Sequence, residues 1–211
     1  MLTGFRIPRL YAIIDPAQAH EQPPAAVAEF LLSAGVRLIQ YRDKQASSRE
    51  LFERSRGIAE RVRAARGIFI VNDRADVARA VDADGVHVGQ EDLPVDLARH
   101  VLGEGKWVGS STHGLDQAIE ADRSSADYVA LGPIFSTSSK ANPDPVVGLE
   151  GLRAARQATR KPLVAIGGIT LDNAAAVIEA GADSVAVIGA LLSAPDISQR
   201  AREFLKLLGD C

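Results

Sequence analysis

Polar side chains that could bind a phosphate and a metal follow three separate apolar runs of the chain. In chain order they are Gln40, Arg42, Lys44, Asn72, Asp73, Glu91 and Asp92. Side chains at the carboxyl ends of parallel strands gather on one face of a sheet, where ligands bind. Cations bind phosphate oxygens, and carboxylates bind a hard divalent ion. The sequence therefore predicts a metal-diphosphate site.

Gln40, Arg42 and Lys44 occupy alternate positions, so in an extended segment their side chains point to the same side. Arg42 is suited to hold phosphate oxygens through two hydrogen bonds, and Lys44 adds a compact positive charge. The alternative interpretation is a solvent-exposed strand end, where charged residues are common.

Asp73 and Asp92 are the candidate metal ligands, and Mg²⁺ is the predicted cofactor. Two carboxylates leave octahedral positions of Mg²⁺ open for water and phosphate oxygens. Each aspartate could instead cap the N-terminus of the helix that follows it. Their occurrence as a pair beside Arg42 and Lys44 favours the metal site.

Residues after the later apolar runs extend the candidate site. Ser111 lacks the Gly-x-Ser-x-Gly turn of hydrolases, so we interpret it as a hydrogen-bond donor to substrate, and the role of His113 stays open. His87 lies inside an apolar run and is interpreted as a hydrogen-bonded core histidine. Gly168 and Gly189 follow the seventh and eighth runs, where backbone N–H groups can closely approach a phosphate.

A polar, proline-containing stretch at residues 136–147 is predicted to be a loop rather than a helix or central strand. A loop of this length in a compact barrel is often an active-site lid. Its hydroxyl groups and Lys140 suit phosphate contacts, although a solvated polar loop is the alternative.

Eight short apolar runs alternate with segments of helical length, which predicts a (β/α)₈ TIM barrel of the α/β class. The predicted strands are Leu10–Ile14, Val36–Tyr41, Ile68–Val71, Gly85–Val88, Trp107–Ser110, Tyr128–Leu131, Pro162–Ile166 and Ser184–Ile188. Predicted helices include Ala25–Ala34, Ser48–Ala65, Leu149–Ala158 and Leu171–Ala180. We expect one TIM-barrel domain over residues 1–211, with a doubly wound sheet as the alternative.

Local signals mark several helix ends. Ser47 and Glu50 have the spacing of a capping box, and Thr170 is a candidate N-cap. Gly35 and Gly181 follow helical runs, as glycines that end helices do.

Composition narrows the class of protein. The chain has 211 residues, 46% of them hydrophobic, and a net charge of −3, so no basic footprint for nucleic acid is present. No apolar run approaches the roughly 20 residues that cross a bilayer, and we expect neither a signal peptide nor a membrane partner. The single cysteine, Cys211, cannot form an internal disulfide. We expect a cytoplasmic protein that binds small molecules, and the sequence does not indicate its oligomeric state.

Taken in order, these motifs resemble the thiamine phosphate synthase family over about residues 10 to 190. The matching segments are Gln40-x-Arg42-x-Lys44, Asn72-Asp73, Asp84-Gly-Val-His-Val-Gly-Gln-Glu-Asp92, Gly109-x-Ser111-x-His113, Asp127-Tyr-Val-Ala-Leu-Gly-Pro-Ile-Phe135, Thr137-Ser-Ser-Lys140, Ala165-Ile-Gly-Gly-Ile169 and Gly181-Ala-Asp-Ser-Val185. The resemblance implies a transferase that joins 4-amino-2-methyl-5-(diphosphooxymethyl)pyrimidine to a 4-methyl-5-(2-phosphooxyethyl)thiazole, carboxylated or not. It implies a dissociative, Mg²⁺-dependent reaction that yields thiamine phosphate and diphosphate.

The resemblance also implies a role for individual residues. Those expected to bind the pyrimidine diphosphate are Gln40, Tyr41, Arg42, Asp43, Lys44, Asn72, Ser111 and Lys140. Those expected to bind the thiazole phosphate are Thr137, Ser138, Ser139, Gly168, Ile188 and Gly189. Asp73 and Asp92 are expected to hold Mg²⁺, while Arg42 and Lys140 stabilise the leaving group. The chain departs from the family pattern at Gly189, where many relatives have serine, and at Ser136 and Ser139, where proline and threonine are frequent.

Two other functions fit part of the pattern. A thiazole tautomerase of the sister branch shares the fold and would use a histidine such as His113 as its acid or base. An isomerase of a monophosphate does not need both Asp73 and Asp92, which argues against it. The other alternative is a non-catalytic module that binds phosphates.

Overall fold

The computed structural model describes residues 6–19, 22–137 and 144–210. Its strands are β1 (Leu10–Ile14), β2 (Leu38–Tyr41), β3 (Ile68–Asn72), β4 (Gly85–Val88), β5 (Trp107–Thr112), β6 (Tyr128–Leu131), β7 (Leu163–Ile166) and β8 (Ser184–Val187). They form a closed parallel barrel in which each strand pairs with the next and β8 pairs with β1. The predicted (β/α)₈ TIM barrel is therefore confirmed, and the doubly wound alternative is excluded.

Helices follow the strands on the outside of the barrel. They are α1 (Pro24–Ala34), α2 (Ser48–Ala64), α3 (Ala75–Ala80), α4 (Val95–Leu102), α5 (Leu115–Arg123), α6 (Gly148–Ala158), α7 (Ala174–Glu179), α8 (Gly189–Leu192) and α9 (Ile197–Leu208). A short 3₁₀ turn, Pro16–Gln18, follows β1. Along the described part of the chain, no helix combines the length and the apolar character that a bilayer span needs.

Two buried clusters account for the continuous apolar strands. One contains residues of both strands and helices and packs the helices onto the barrel. The other fills the lumen and consists mainly of alternate strand residues: Tyr11, Ile13, Leu38, Ile70, Tyr128, Ala130, Val164 and Ala186. Because strand side chains alternate between the two faces, the next inward positions belong to Gln40, Asn72 and Ile188. The apolar lumen thus supports a layer of candidate site residues at the carboxyl ends of the strands.

Most predicted helix ends are confirmed, and one is wrong. Ser47 and Glu50 form a complete capping box, and α1 ends at Gly35 with a φ of 107°. Thr170 does not cap a helix, because α7 begins only at Ala174. The side chain of Asn173 accepts a hydrogen bond from the Thr170 N–H at 2.8 Å and donates to the Gly168 carbonyl at 3.0 Å, which holds residues 170–173 as a turn.

Candidate active site

Two adjoining cavities open at the carboxyl ends of the barrel strands. The small cavity, of about 490 Å³, lies over the lumen, and the large cavity, of about 1080 Å³, lies towards β2, β3 and β4. Arg42, Asn72, Ser111 and His113 line both cavities, so the two form one continuous site. Among the described residues, all the candidate site residues except Tyr41 line at least one of the two cavities.

The small cavity is mostly apolar, with polar groups on its floor and at one side. Apolar walls come from Ile13, Val164, Ile166, Ala186 and Ile188, while Gln40 and Ser111 contribute polar groups. Four of the residues expected at the thiazole phosphate line this cavity: Thr137, Gly168, Ile188 and Gly189. The arrangement suits a flat ring with a phosphate at one end.

The large cavity is strongly charged. Its lining includes Asp43, Lys44, Asp73, Glu91 and Asp92 together with the shared arginine. Carboxylates and cations therefore face a single space, as a metal-bound diphosphate requires.

Two of the three predicted phosphate-binding cations, Arg42 and Lys44, are ion-paired in this structure. Arg42 donates to Asp15, which follows β1, and Lys44 donates to Asp73. An anionic ligand must therefore compete with a carboxylate for each cation. Asp15 was not among the predicted site residues, although it ends a strand as Asp73 does.

The two predicted metal ligands lie beside each other, and neither caps a helix. Asp73 has a left-handed φ of 62° and its N–H donates to the His87 carbonyl at 2.7 Å, while α3 begins after Arg74. Asp92 accepts a hydrogen bond from the Gly89 N–H at 2.8 Å, and α4 begins after Pro94. The capping interpretation is therefore wrong for both.

The donor set fits Mg²⁺. Burial raises the pKa of Asp73, and the neighbouring Asp92 carboxylate raises it further, although the Lys44 hydrogen bond opposes this shift. Two close carboxylates repel each other, and a divalent cation relieves that repulsion. Within the described residues, no group of three or more histidine, cysteine, aspartate or glutamate side chains could hold a metal. Mg²⁺ needs no such cage, since it usually binds one or two carboxylates, water and substrate phosphates.

Tyr41 and Asp43 organise the β2 end in different ways. Tyr41 is fully buried away from both cavities, and its hydroxyl donates to Asp43 at 2.8 Å. Asp43 also accepts hydrogen bonds from the Gln45 and Ala46 N–H groups and from Arg54. Burial alone would raise the pKa of Asp43, but these hydrogen bonds together lower it. Tyr41 thus acts at a distance, by holding the loop that carries Arg42 and Lys44.

His87 is buried and hydrogen-bonded, as a core histidine would be, but its partner belongs to the site. Its Nε2 lies 2.8 Å from Ser111 Oγ, and its Nδ1 lies 3.1 Å from the Tyr128 hydroxyl. Burial lowers the pKa of His87 to about 4, so the ring is neutral near pH 7. The sequence indicates a core residue because the neighbours of His87 are apolar. The alternation of side chains along β4, which turns His87 towards the lumen, is the sequence pattern that could have predicted its contact with Ser111.

His113 lies at the rim of both cavities. Its Nδ1 is 2.7 Å from the Gly132 carbonyl oxygen and 3.4 Å from an Asp144 carboxylate oxygen. The sequence left its role open, and this contact with the backbone orients its ring.

The two candidate phosphate glycines differ. A Cβ on Gly168 would lie 2.5 Å from the Ser136 carbonyl oxygen and 2.7 Å from Phe135 Cβ, and its φ is 65°. A Cβ on Gly189 would meet only Gln18 Oε1, at 3.3 Å. Packing against the loop after β6 and a left-handed backbone therefore require glycine at position 168 independently of any phosphate, and its predicted role at the thiazole phosphate stays a prediction.

Three predicted residues, Ser138, Ser139 and Lys140, lie outside the described residues, as does the middle of the predicted lid. Their roles stay predictions.

Comparison with known proteins identifies the family. The model of the thiamine monophosphate synthase family matches residues 10–191. The chain belongs to this family. It is therefore an enzyme, a transferase of thiamine biosynthesis.

Individual relatives agree along nearly the whole chain. A thiamine-phosphate synthase of Koribacter versatilis is 51% identical over 212 residues, covering 99% of each chain. One of Chloroflexus aurantiacus is 46% identical over 200 residues, covering 95% of this chain and 92% of the relative. A solved thiamine phosphate pyrophosphorylase of Pyrococcus furiosus is 37% identical, with a TM-score of 0.87 and coverage of 96% of both chains. These relatives support thiamine phosphate synthase activity.

Proposed function

We propose that this chain joins 4-amino-2-methyl-5-(diphosphooxymethyl)pyrimidine to a 4-methyl-5-(2-phosphooxyethyl)thiazole, releasing diphosphate. The observation that carries the proposal is the continuity of an apolar cavity with a charged one through Arg42, Asn72 and Ser111. The pyrimidine diphosphate would lie across this junction, with its ring over the lumen and its diphosphate among the charges.

The second substrate takes the opposite side of the small cavity. Thr137, Gly168, Ile188 and Gly189 line that side, and the residues after β7 and β8 are common phosphate-binding positions in barrels. Both rings then meet above the lumen cluster, between apolar walls.

The chemistry is dissociative. The bond between the pyrimidine methylene and the diphosphate oxygen breaks first, which leaves a pyrimidine-methyl cation, and the thiazole nitrogen then attacks this cation. No described side chain is set up as a covalent nucleophile, whereas Arg42, Lys44 and Asn72 can stabilise a departing anion. Mg²⁺ held by Asp73 and Asp92 would supply further neutralisation of the diphosphate charge. The apolar walls exclude water, which would otherwise capture the cation.

Product analysis tests the proposal. The purified chain is incubated with both substrates and Mg²⁺, and with each substrate alone. We expect thiamine phosphate and diphosphate in equal amounts, and only when both substrates are present. Binding of both without product would identify a phosphate-binding module, and isomerisation of a thiazole without coupling would identify a tautomerase. The cytoplasmic location stays a prediction.

A further inference from the structure

A chain of hydrogen bonds crosses the lumen beneath the small cavity and joins two of its floor residues. Gln40 Nε2 donates to the Tyr11 oxygen at 2.7 Å, and the Tyr11 and Tyr128 hydroxyl oxygens are 2.9 Å apart. The Tyr128 hydroxyl is 3.1 Å from His87 Nδ1, and His87 Nε2 is 2.8 Å from Ser111 Oγ. We call these five residues the polar chain.

The barrel is shaped to accommodate the middle of the polar chain. His87 and Tyr128 flank Gly109 of β5 in register, and their rings stack with centroids 5.5 Å apart. A Cβ on Gly109 would lie 2.1 Å from Tyr128 Cζ and 2.4 Å from His87 Nδ1. Glycine is therefore required at this point of β5, because the two rings meet across it.

Counting hydrogens gives the polar chain a direction. Tyr11 and Tyr128 are buried phenols that each carry one hydrogen, and the His87 ring, whose two nitrogens each face a hydroxyl oxygen, carries one. Because Gln40 donates to Tyr11, the Tyr11 hydrogen goes to Tyr128 and the Tyr128 hydrogen goes to His87 Nδ1. The imidazole hydrogen is then on Nε2 and points at Ser111. While the Gln40 amide donates to Tyr11, any other distribution leaves a link without a hydrogen or a buried hydroxyl without an acceptor, which is costly.

We propose that Tyr11, Tyr128 and His87 are positioning residues that fix His87 as the Nε2–H tautomer, and so present Ser111 to the ligand as a hydrogen-bond donor. The same direction leaves Gln40 Oε1 as an acceptor. The identity of the ligand rests on the proposed function: the oxygens of the diphosphate accept hydrogen bonds, and the exocyclic amine of the pyrimidine donates one. Rotating the Gln40 amide by half a turn would reverse every link and make Ser111 an acceptor, which a phosphate oxygen cannot satisfy.

The tautomer is measured directly by NMR of the full chain labelled with ¹⁵N-histidine, without substrates at pH 7.5. We expect His87 to carry its hydrogen on Nε2, with its signals assigned by their loss in His87→Gln. His113 is the internal reference, because its Nδ1 faces the Gly132 carbonyl oxygen at 2.7 Å and must carry a hydrogen to bond it. A hydrogen on Nδ1 of His87 would overturn the proposal.

Tyr128→Phe removes one oxygen from the polar chain. We expect KM for the pyrimidine diphosphate to rise roughly tenfold, about the worth of one hydrogen bond, with KM for the thiazole phosphate unchanged. The His87 signals should lose their single-tautomer pattern.

Ser184→Ala is the matched control, since it also deletes a buried hydroxyl. Ser184 lies in β8, and its hydroxyl donates to the Arg9 carbonyl oxygen at 3.3 Å. It should change neither KM nor the tautomer. Equal effects of the two substitutions would reduce the polar chain to a structural feature and overturn the proposal.

The two readouts separate this proposal from the proposed function. The tautomer needs no substrate, so Nε2–H in a chain that does not couple the substrates would support the polar chain and overturn the function alone. Coupling of the two substrates by a protein whose His87 carries its hydrogen on Nδ1 would support the proposed function and overturn the proposal for the polar chain.

Discussion

At the residue scale, Asp73 combines a left-handed backbone, a partly buried carboxylate and a second carboxylate beside it. A residue other than glycine keeps a positive φ only where its surroundings enforce it, and such residues cluster at active sites. Its N–H bond to His87 and its ion pair with Lys44 provide that enforcement. Arg66 and Asp82 also have a positive φ just after helices, so the neighbouring Asp92 carboxylate, rather than the backbone, is what favours a functional role for Asp73.

Asp73→Asn and Asp92→Asn should each lower Mg²⁺-dependent turnover by at least about 100-fold while leaving the fold intact, because each removes an anionic ligand for Mg²⁺. Steady-state rates across a Mg²⁺ titration, with circular dichroism for the fold, provide the measurement. Asp76→Asn is the control, since Asp76 lies on α3, is ion-paired with Arg74 and lines neither cavity. Turnover near the wild-type level at limiting Mg²⁺ would remove the two aspartates from the metal site.

His87 should make the protein less stable in mild acid. Its pKa is lowered on folding from 6.5 to about 4, so its contribution is fully present above pH 6.5 and is lost as the pH falls towards 4. Between pH 7 and pH 5 the wild type should lose about 2 kcal/mol more unfolding free energy than His87→Gln. Urea unfolding at several pH values gives the pH dependence of the unfolding free energy for the wild type and for His87→Gln. The same pH dependence in both proteins would contradict a neutral buried His87 ring.

At the element scale, the turns that follow β7 and β8 carry the phosphate side of the site and tolerate substitution differently. Gly168 has a left-handed φ and touches the loop after β6. A Cβ on Gly189, at the start of α8, would instead meet only the end of the flexible Gln18 side chain, at 3.3 Å. The sequence treated the two glycines alike because each simply follows a predicted strand.

Gly168→Ala should destabilise the protein by about 1–3 kcal/mol, because alanine is strained at this φ and its Cβ would overlap Ser136. Gly189→Ser should be neutral or should slightly lower KM for the thiazole phosphate. Thermal unfolding and KM for each substrate distinguish the two cases. A normal melting temperature for Gly168→Ala would show that the contact with Ser136 is not limiting.

At the scale of the whole molecule, the sequence predicted the barrel because eight apolar runs recur with helical segments between them. The strand ends predicted which residues meet, since Arg42, Asn72 and Ser111 all lie at that edge. Ion pairing of Arg42 with Asp15 could not be predicted, because it depends on how two side chains cross between β1 and β2. The turn before α7 was missed because the two hydrogen bonds of Asn173 outweigh the capping tendency of Thr170.

We expect the charged cavity to stabilise the departing diphosphate, and the single-turnover rate of Arg42→Ala measures how much Arg42 contributes. With both substrates and Mg²⁺ saturating, we expect the rate to fall by about 100- to 1000-fold, the usual loss when one electrostatic stabiliser is removed. Arg49→Ala, which removes an exposed arginine on α2 that lines neither cavity, should keep the wild-type rate. An unchanged rate in Arg42→Ala would show that Arg42 does not stabilise the departing diphosphate.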